Sequence, residues 1–219
     1  MTTIKKWALS TAVFCFSLML TVSCSNDKTT EDSTEHAEEM NDENLPKETE
    51  KDADRMVELA GTNTYEIQAS QEASTRATTS EVKKIAAMMV EAHTKMGTEM
   101  AQLAAKKGIT LPTDLPNEKM NDLNRLKEKS GIDYDREYLD QMKNAHEEAV
   151  RKLDNLAEKG EDAEVRDLAA KSVSEVRSHL DMIEATRNSV KDMKSDARKA
   201  DNNSNRSTAG HDDHDGHQH

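Results

Sequence analysis

Apolar residues recur at intervals of three and four through four long stretches of the chain, the period of a helix with one buried face. The clearest stretch runs from Val82 to Ala105. There Val82, Ile85, Ala86, Met89, Val90, Met96, Met100, Leu103 and Ala104 fall on one side, with His93 among them. Ser80 reads as its N-cap and Gly108 as its stop, and Lys106 and Lys107 suit the negative end of the helix dipole. Upstream, a weaker face of Met56, Leu59, Ala60, Asn63, Ile67, Ser70, Ser74 and Ala77 predicts a helix over about 52–78. Gly61 in its middle costs about 1 kcal/mol against alanine, so a bend or a close approach is expected there.

Downstream, Tyr134, Tyr138, Met142, Ala145, His146, Ala149, Leu153 and Leu156 predict a helix over about 133–159, ended by Gly160. Val165, Leu168, Ala169, Ser172, Val176, His179, Leu180, Ile183 and Val190 predict a last one from about 162 to 194. Between the second and third long helices, Ile109 to Pro112 reads as extended chain. Met120, Leu123 and Leu126 then mark a short helix over 117–129, broken at Ser130-Gly131. Four long helices with short connections and one stripe each predict an all-α, antiparallel four-helix bundle with an extra short helix in the crossover, over 52–194.

Composition supports this. Aromatic residues are 3% of the 219, so the core must be aliphatic, and seven Gly and three Pro leave little material for β-turns. The formal charge of −13 repels phosphate backbones and excludes nucleic acid as a natural partner. Cations are easier to accommodate. No protein partner is named by any motif.

Outside the bundle the patterning changes. Lys5 and Lys6 precede an apolar run from Trp7 to Val22, too short for a comfortable membrane span and laid out like a signal peptide over 1–23. The run ends Thr21-Val22-Ser23-Cys24, which resembles a bacterial lipobox, although leucine is usual where Thr21 stands. Cys24 is then the lipidated residue and the membrane anchor. The alternative is an ordinary cleaved signal peptide. Residues 24–51 are polar and acidic and are expected to form a disordered tether. Ser25 after the cysteine favours the outer membrane over inner-membrane retention. Residues 195–219 end in a second disordered segment rich in His and Asp, where His211, His214, His217 and His219 could hold divalent ions weakly. A solvated polar end is the other reading of that tail.

From about Met56 to Ser189 the chain resembles the domain-of-unknown-function family 4142. The resemblance is carried by Glu66-Ile67, by Val82-Lys83 through Met89-Val90 to His93 and Lys95, and by Leu103-Ala104 to Leu111-Pro112. It continues in Tyr134-Asp135, Tyr138, Met142 and His146, and from Ala169 to His179-Leu180. Ser172-Val173-Ser174 departs from the family, which more often has a Leu-Pro pair there. The resemblance implies a ferritin-like bundle in the bacterial cell envelope. It implies no activity, since a shared fold does not carry ferroxidase chemistry with it.

The chemistry in the sequence rests on His93, His146 and His179, one on each of three helices, with Glu66 as the family-matching acid on the fourth. Three neutral imidazoles at similar depth in a bundle, with or without Glu66, suit zinc, copper, nickel or iron. The alternative is a buried polar network satisfied by Tyr134, Tyr138, Glu66 or Glu175. Met89, Met96, Met142 and Met182 lie three or four residues from the histidines. Thioethers there favour Cu(I), or they simply fill a core short of aromatics. Di-iron catalysis is disfavoured: it uses Glu-x-x-His, and the residues three before the histidines are Val90, Lys143 and Val176. Three functions remain open. They are a non-catalytic metal-binding or buffering lipoprotein, a metal-free structural or stress-linked interaction bundle, and a redox enzyme with an atypical ligand set.

Overall fold

The computed structural model describes residues 32–193, and every regular element among them is a helix. These are α1 (Ser33–Asn44), α2 (Lys47–Arg76), α3 (Ser80–Lys107), α4 (Asn117–Lys127), α5 (Gly131–Lys159) and α6 (Ala163–Val190). The four long ones have 28 to 30 residues, which at 1.5 Å per residue is about 42–45 Å. They form the antiparallel four-helix bundle expected from the stripes, with α4 as the short crossover helix. α2 pairs with α3 and α5 with α6, and the two hairpins face each other. Ion pairs Lys106–Glu164 and Lys171–Glu99 track the antiparallel α3–α6 seam.

The helix ends follow their caps. Thr79, one residue before the expected Ser80, accepts from Val82 N and starts α3. Gly108 takes the left-handed conformation, φ 72°, that only glycine adopts without strain, and α3 stops there. Asp162 accepts from Glu164 N and Val165 N at the start of α6. α5 begins two residues earlier than its stripe suggested, at Gly131, and α6 ends at Val190. Gly61 marks a close approach: a Cβ there would lie 2.7 Å from the Pro116 ring.

Two buried carboxylates tie the hairpins together. Asp52 on α2 accepts from Glu161 N and Asp162 N, in the turn between α5 and α6. Asp135 on α5 accepts from Thr78 N and Thr79 N, in the turn between α2 and α3. Each hairpin thus satisfies amide groups that the other leaves exposed at a helix start.

The N-terminal boundary corrects the sequence reading. Residues 33–51, expected to be part of a structureless tether over 24–51, are almost wholly helical, as α1 and the first turns of α2. The segment has too few apolar residues to bury a face, but it docks through hydrogen bonds. Asn41 donates to Thr110 O (2.9 Å) and accepts from Thr110 N (2.7 Å), and Ser33 Oγ donates to Asp114 O (2.9 Å). Asp32 accepts from Thr34 N and Asn117 N. Only Ala37 is a buried apolar residue of α1. The expected signal peptide over 1–23, Cys24, the expected tether as far as residue 31 and the tail over 195–219 lie outside the described residues. Among the described residues no helix is long and apolar enough to cross a membrane.

The core has two apolar ends. One holds Tyr65, Met89, Tyr138, Leu139, Met142 and Ile183. The other holds Met56, Leu59, Met96, Met100, Leu153 and Val176. Between them lies a layer of buried polar residues.

Candidate metal centre

Each long helix contributes one member of that layer: Glu66 from α2, His93 from α3, His146 from α5 and His179 from α6. On α3, α5 and α6 the histidine falls where the stripe passes from one apolar cluster to the other. All four residues are buried, with His179 the most exposed histidine at 6%.

The imidazoles converge. Ring centroids are 5.2 Å apart for His93–His146, 5.2 Å for His93–His179 and 5.8 Å for His146–His179. One nitrogen from each ring lies within 4.8 Å of the other two. Nitrogens 2.0–2.1 Å from a tetrahedral ion sit about 3.4 Å from one another, so a modest contraction would close the site.

The surroundings decide which nitrogens are free. His93 Nδ1 lies 3.0 Å from Asn63 Oδ1 and 3.1 Å from Glu66 Oε2. His146 Nδ1 lies 2.9 Å from Met142 O and 2.9 Å from Glu66 Oε1. These neighbours are all acceptors, so Nδ1 must carry the proton in both rings. A neutral imidazole has one N–H, which leaves the Nε2 lone pair bare. Nε2 of His93, Nε2 of His146 and Nδ1 of His179 are buried without a hydrogen-bond partner. The Nδ1 proton of His146 points at Met142 O, which leaves Glu66 Oε1 without an aligned donor.

Burial and neighbouring groups shift the acidity of two members of the layer. Burial opposes the charge on Glu66, but the adjoining His146 and His93 imidazoles outweigh it and hold the carboxyl well below the usual carboxylate range. Burial, reinforced by His93 and His146, pushes His179 down to about 4, against the opposing pull of Glu66. At neutral pH His179 is therefore uncharged.

With this geometry in place, the family can be stated. Residues 34–186 match the family described as a domain of unknown function, DUF4142. The chain belongs to it. No match was found among curated proteins or solved structures. The DUF4142 region takes in nearly all of α1, where the sequence resemblance began only at Met56, and the whole polar layer.

Within this DUF4142 bundle, all four residues of the core set named from sequence come together. Glu66 stands against the Nδ1 atoms of His93 and His146, and the donor atoms grouped within 4.8 Å belong to the three histidines alone. Glu66 thus lies behind two of the imidazoles, outside the group of donor atoms that could share one ion. Such a carboxylate behind a histidine fixes its tautomer and raises its basicity.

The other proposed histidine partners make no hydrogen bond to the histidines among the described residues. Tyr138 bonds to Ser70 Oγ (2.9 Å), Tyr134 Oη has no partner, and no hydrogen bond joins Glu175 to His179 among the described residues. Met89, Met96 and Met142 are buried in the two apolar clusters, and Met182 is 38% exposed. Met142 serves His146 through its backbone carbonyl. Histidines 211, 214, 217 and 219 lie outside the described residues.

Two residues escaped the sequence reading. Asn63 grips His93 from α2, and Gly97, one turn after His93, leaves room for it: a Cβ there would meet Asn63 Nδ2 at 2.7 Å. The signal for Asn63 was present, as an amide in an apolar stripe three residues before Glu66.

Proposed function

We propose that this DUF4142 protein is an envelope lipoprotein, anchored through Cys24, whose bundle binds one transition-metal ion non-catalytically and serves to hold or buffer it. The supporting observation is the set of three bare, buried imidazole nitrogens that face one another across the core. Leaving a buried polar atom unpaired costs about 1–3 kcal/mol, so three on one spot are a poor way to fill a core. A metal ion satisfies all of them at once. Neutral imidazoles suit zinc, copper, nickel or iron, and the Glu66 charge offsets that of the ion. His93, His146 and His179 are the ligands, with Glu66 and Asn63 behind them. The anchoring rests on the lipobox-like Thr21–Cys24 sequence.

The test is metal content and melting of the full chain, beside a variant with alanine at His211, His214, His217 and His219. Both should bind one equivalent of metal at the core. At a hundredfold excess over Kd the stabilisation should be about 2.7 kcal/mol. Replacing His93, His146 or His179 by alanine should abolish it. A chain that purifies metal-free and melts at the same temperature with Cu, Zn, Ni or Fe sinks this reading and leaves a metal-free interaction bundle.

A further inference from the structure

The polar layer is closed on most sides, yet an ion must reach it. The α3–α6 seam carries a second feature close by. Met88 and Met182 line one open groove of about 350 Å³ with Ile85, Lys84 and Ala185. Met182 is 38% exposed and lies on α6 beside a stripe whose residues are buried or half-buried. The groove lies on α3 and α6 within about two turns of the histidines, none of which lines it. Met182 is one turn beyond His179, and Met88 lies five residues before His93, about 7.5 Å of helix rise. His179 is also the most exposed of the three core histidines, at 6%, and has a bare buried Nδ1.

Two thioethers that line one groove, followed along α6 by a buried imidazole with a bare nitrogen, form a graded set of soft donors. A thioether binds Cu(I) and has little affinity for hard or borderline divalent ions. The nearby Lys84 and Glu81 offer no soft alternative.

We propose that the ion is Cu(I), and that it loads through the Met88–Met182 groove and passes to His179 before it settles among the three histidines. This deepens the metal-binding reading and rests on it. No electron moves in the step: copper stays monovalent and exchanges thioether for imidazole ligands.

The experiment follows Cu(I) transfer to the full chain from a bicinchoninate-buffered solution under argon. The core component is defined as the uptake that His146→Ala abolishes. The comparison is Met88→Leu/Met182→Leu, a near-isosteric change at the surface, with Zn(II) loading as the reference. The double variant should load Cu(I) about tenfold more slowly, as expected when soft donors are lost. Its final stoichiometry, melting temperature and Zn(II) loading rate should match the wild type. Met182→Leu alone, at the exposed position, should slow loading in the same sense and carries the test if the double variant melts early. Equal Cu(I) rates overturn the loading route while leaving metal binding intact. An equal slowing of Zn(II) also overturns it, since groove shape and not sulfur would then be responsible. If the wild type takes up no Cu(I) but binds another metal, the Cu(I) assignment fails alone. If it takes up no metal at the core, the proposed function fails with it.

Discussion

Asn63 holds His93 at two points. Its Oδ1 accepts from the ring Nδ1 (3.0 Å) and its Nδ2 donates to the His93 carbonyl (3.2 Å). The side chain therefore fixes both the ring and the helix turn that carries it, and Gly97 supplies the space. Asn63→Ala should destabilise the metal-free chain by about 1–2 kcal/mol, the cost of unmade buried hydrogen bonds. Gly97→Ala should destabilise the wild type, because the new methyl displaces Asn63. In the Asn63→Ala background the same change should stabilise by about 1 kcal/mol, the intrinsic helix preference of alanine. A double-mutant cycle from chemical denaturation measures the sign change, and additive effects would show that the two residues do not touch.

Glu66 is placed to fix tautomers. Glu66→Gln keeps the shape but removes the charge that faces both Nδ1 atoms and turns one acceptor into a donor. Metal affinity should fall by about 10–100-fold, the usual effect of losing a supporting carboxylate. Stoichiometry should stay at one ion, because the three histidines remain. Competition with a calibrated chelator reads the change. Loss of the site altogether would instead make Glu66 a direct ligand, as the sequence alone suggested.

Much of this arrangement was legible in the residues, and the reasons differ from part to part. The long helices announced themselves through stripe periodicity, which needs no tertiary information. The histidines stood out because each interrupts such a stripe, and bundle geometry then brings them level. The docking of α1 was hidden, because Asn41 and Asp32 hold it by hydrogen bonds to Thr110 and Asn117, far away in sequence. The role of Glu66 was hidden too. Whether a carboxylate binds metal or the back of an imidazole depends on which ring nitrogen it meets, and that is set by rotamers rather than by spacing.

His179 makes stability depend on pH. In the metal-free folded chain its pKa is pushed from 6.5 down to about 4, chiefly by burial. The unfolded chain takes up the proton first as pH falls, so the folded state loses ground. The contribution of His179 to stability is complete above about pH 6.5 and is lost as pH drops toward 4. Melting temperature of chelator-treated protein should fall across that window. His179→Gln should flatten this part of the curve. An unchanged slope in the variant would place the pH dependence elsewhere.

Asp52 and Asp135 cap opposite turns, yet they do so differently, and this yields an asymmetric prediction. Both amide donors to Asp52 converge on one oxygen, Oδ2, from Glu161 N (2.8 Å) and Asp162 N (2.9 Å). Asp135 uses both oxygens, Oδ1 for Thr78 N (2.7 Å) and Oδ2 for Thr79 N (2.8 Å). An asparagine keeps one carbonyl oxygen and turns the other acceptor into a donor. Asp52→Asn can therefore retain both backbone contacts through the remaining oxygen, and it loses the charge assistance and the 3.4 Å contact of the other oxygen with Arg55. Asp135→Asn must leave one buried N–H facing an NH2 group. Hydrogen bonds to charged groups contribute about 1.5–3 kcal/mol, so Asp135→Asn should cost at least that much and Asp52→Asn clearly less. For a chain of this size 1 kcal/mol moves the melting temperature by about 2–4 °C, so calorimetry separates the two variants readily. Because both carboxylates lie at helix ends, remote from the histidine layer, neither change should reduce the number of metal ions bound. Equal costs for the two variants would mean that the capping pattern of one of them is different in solution.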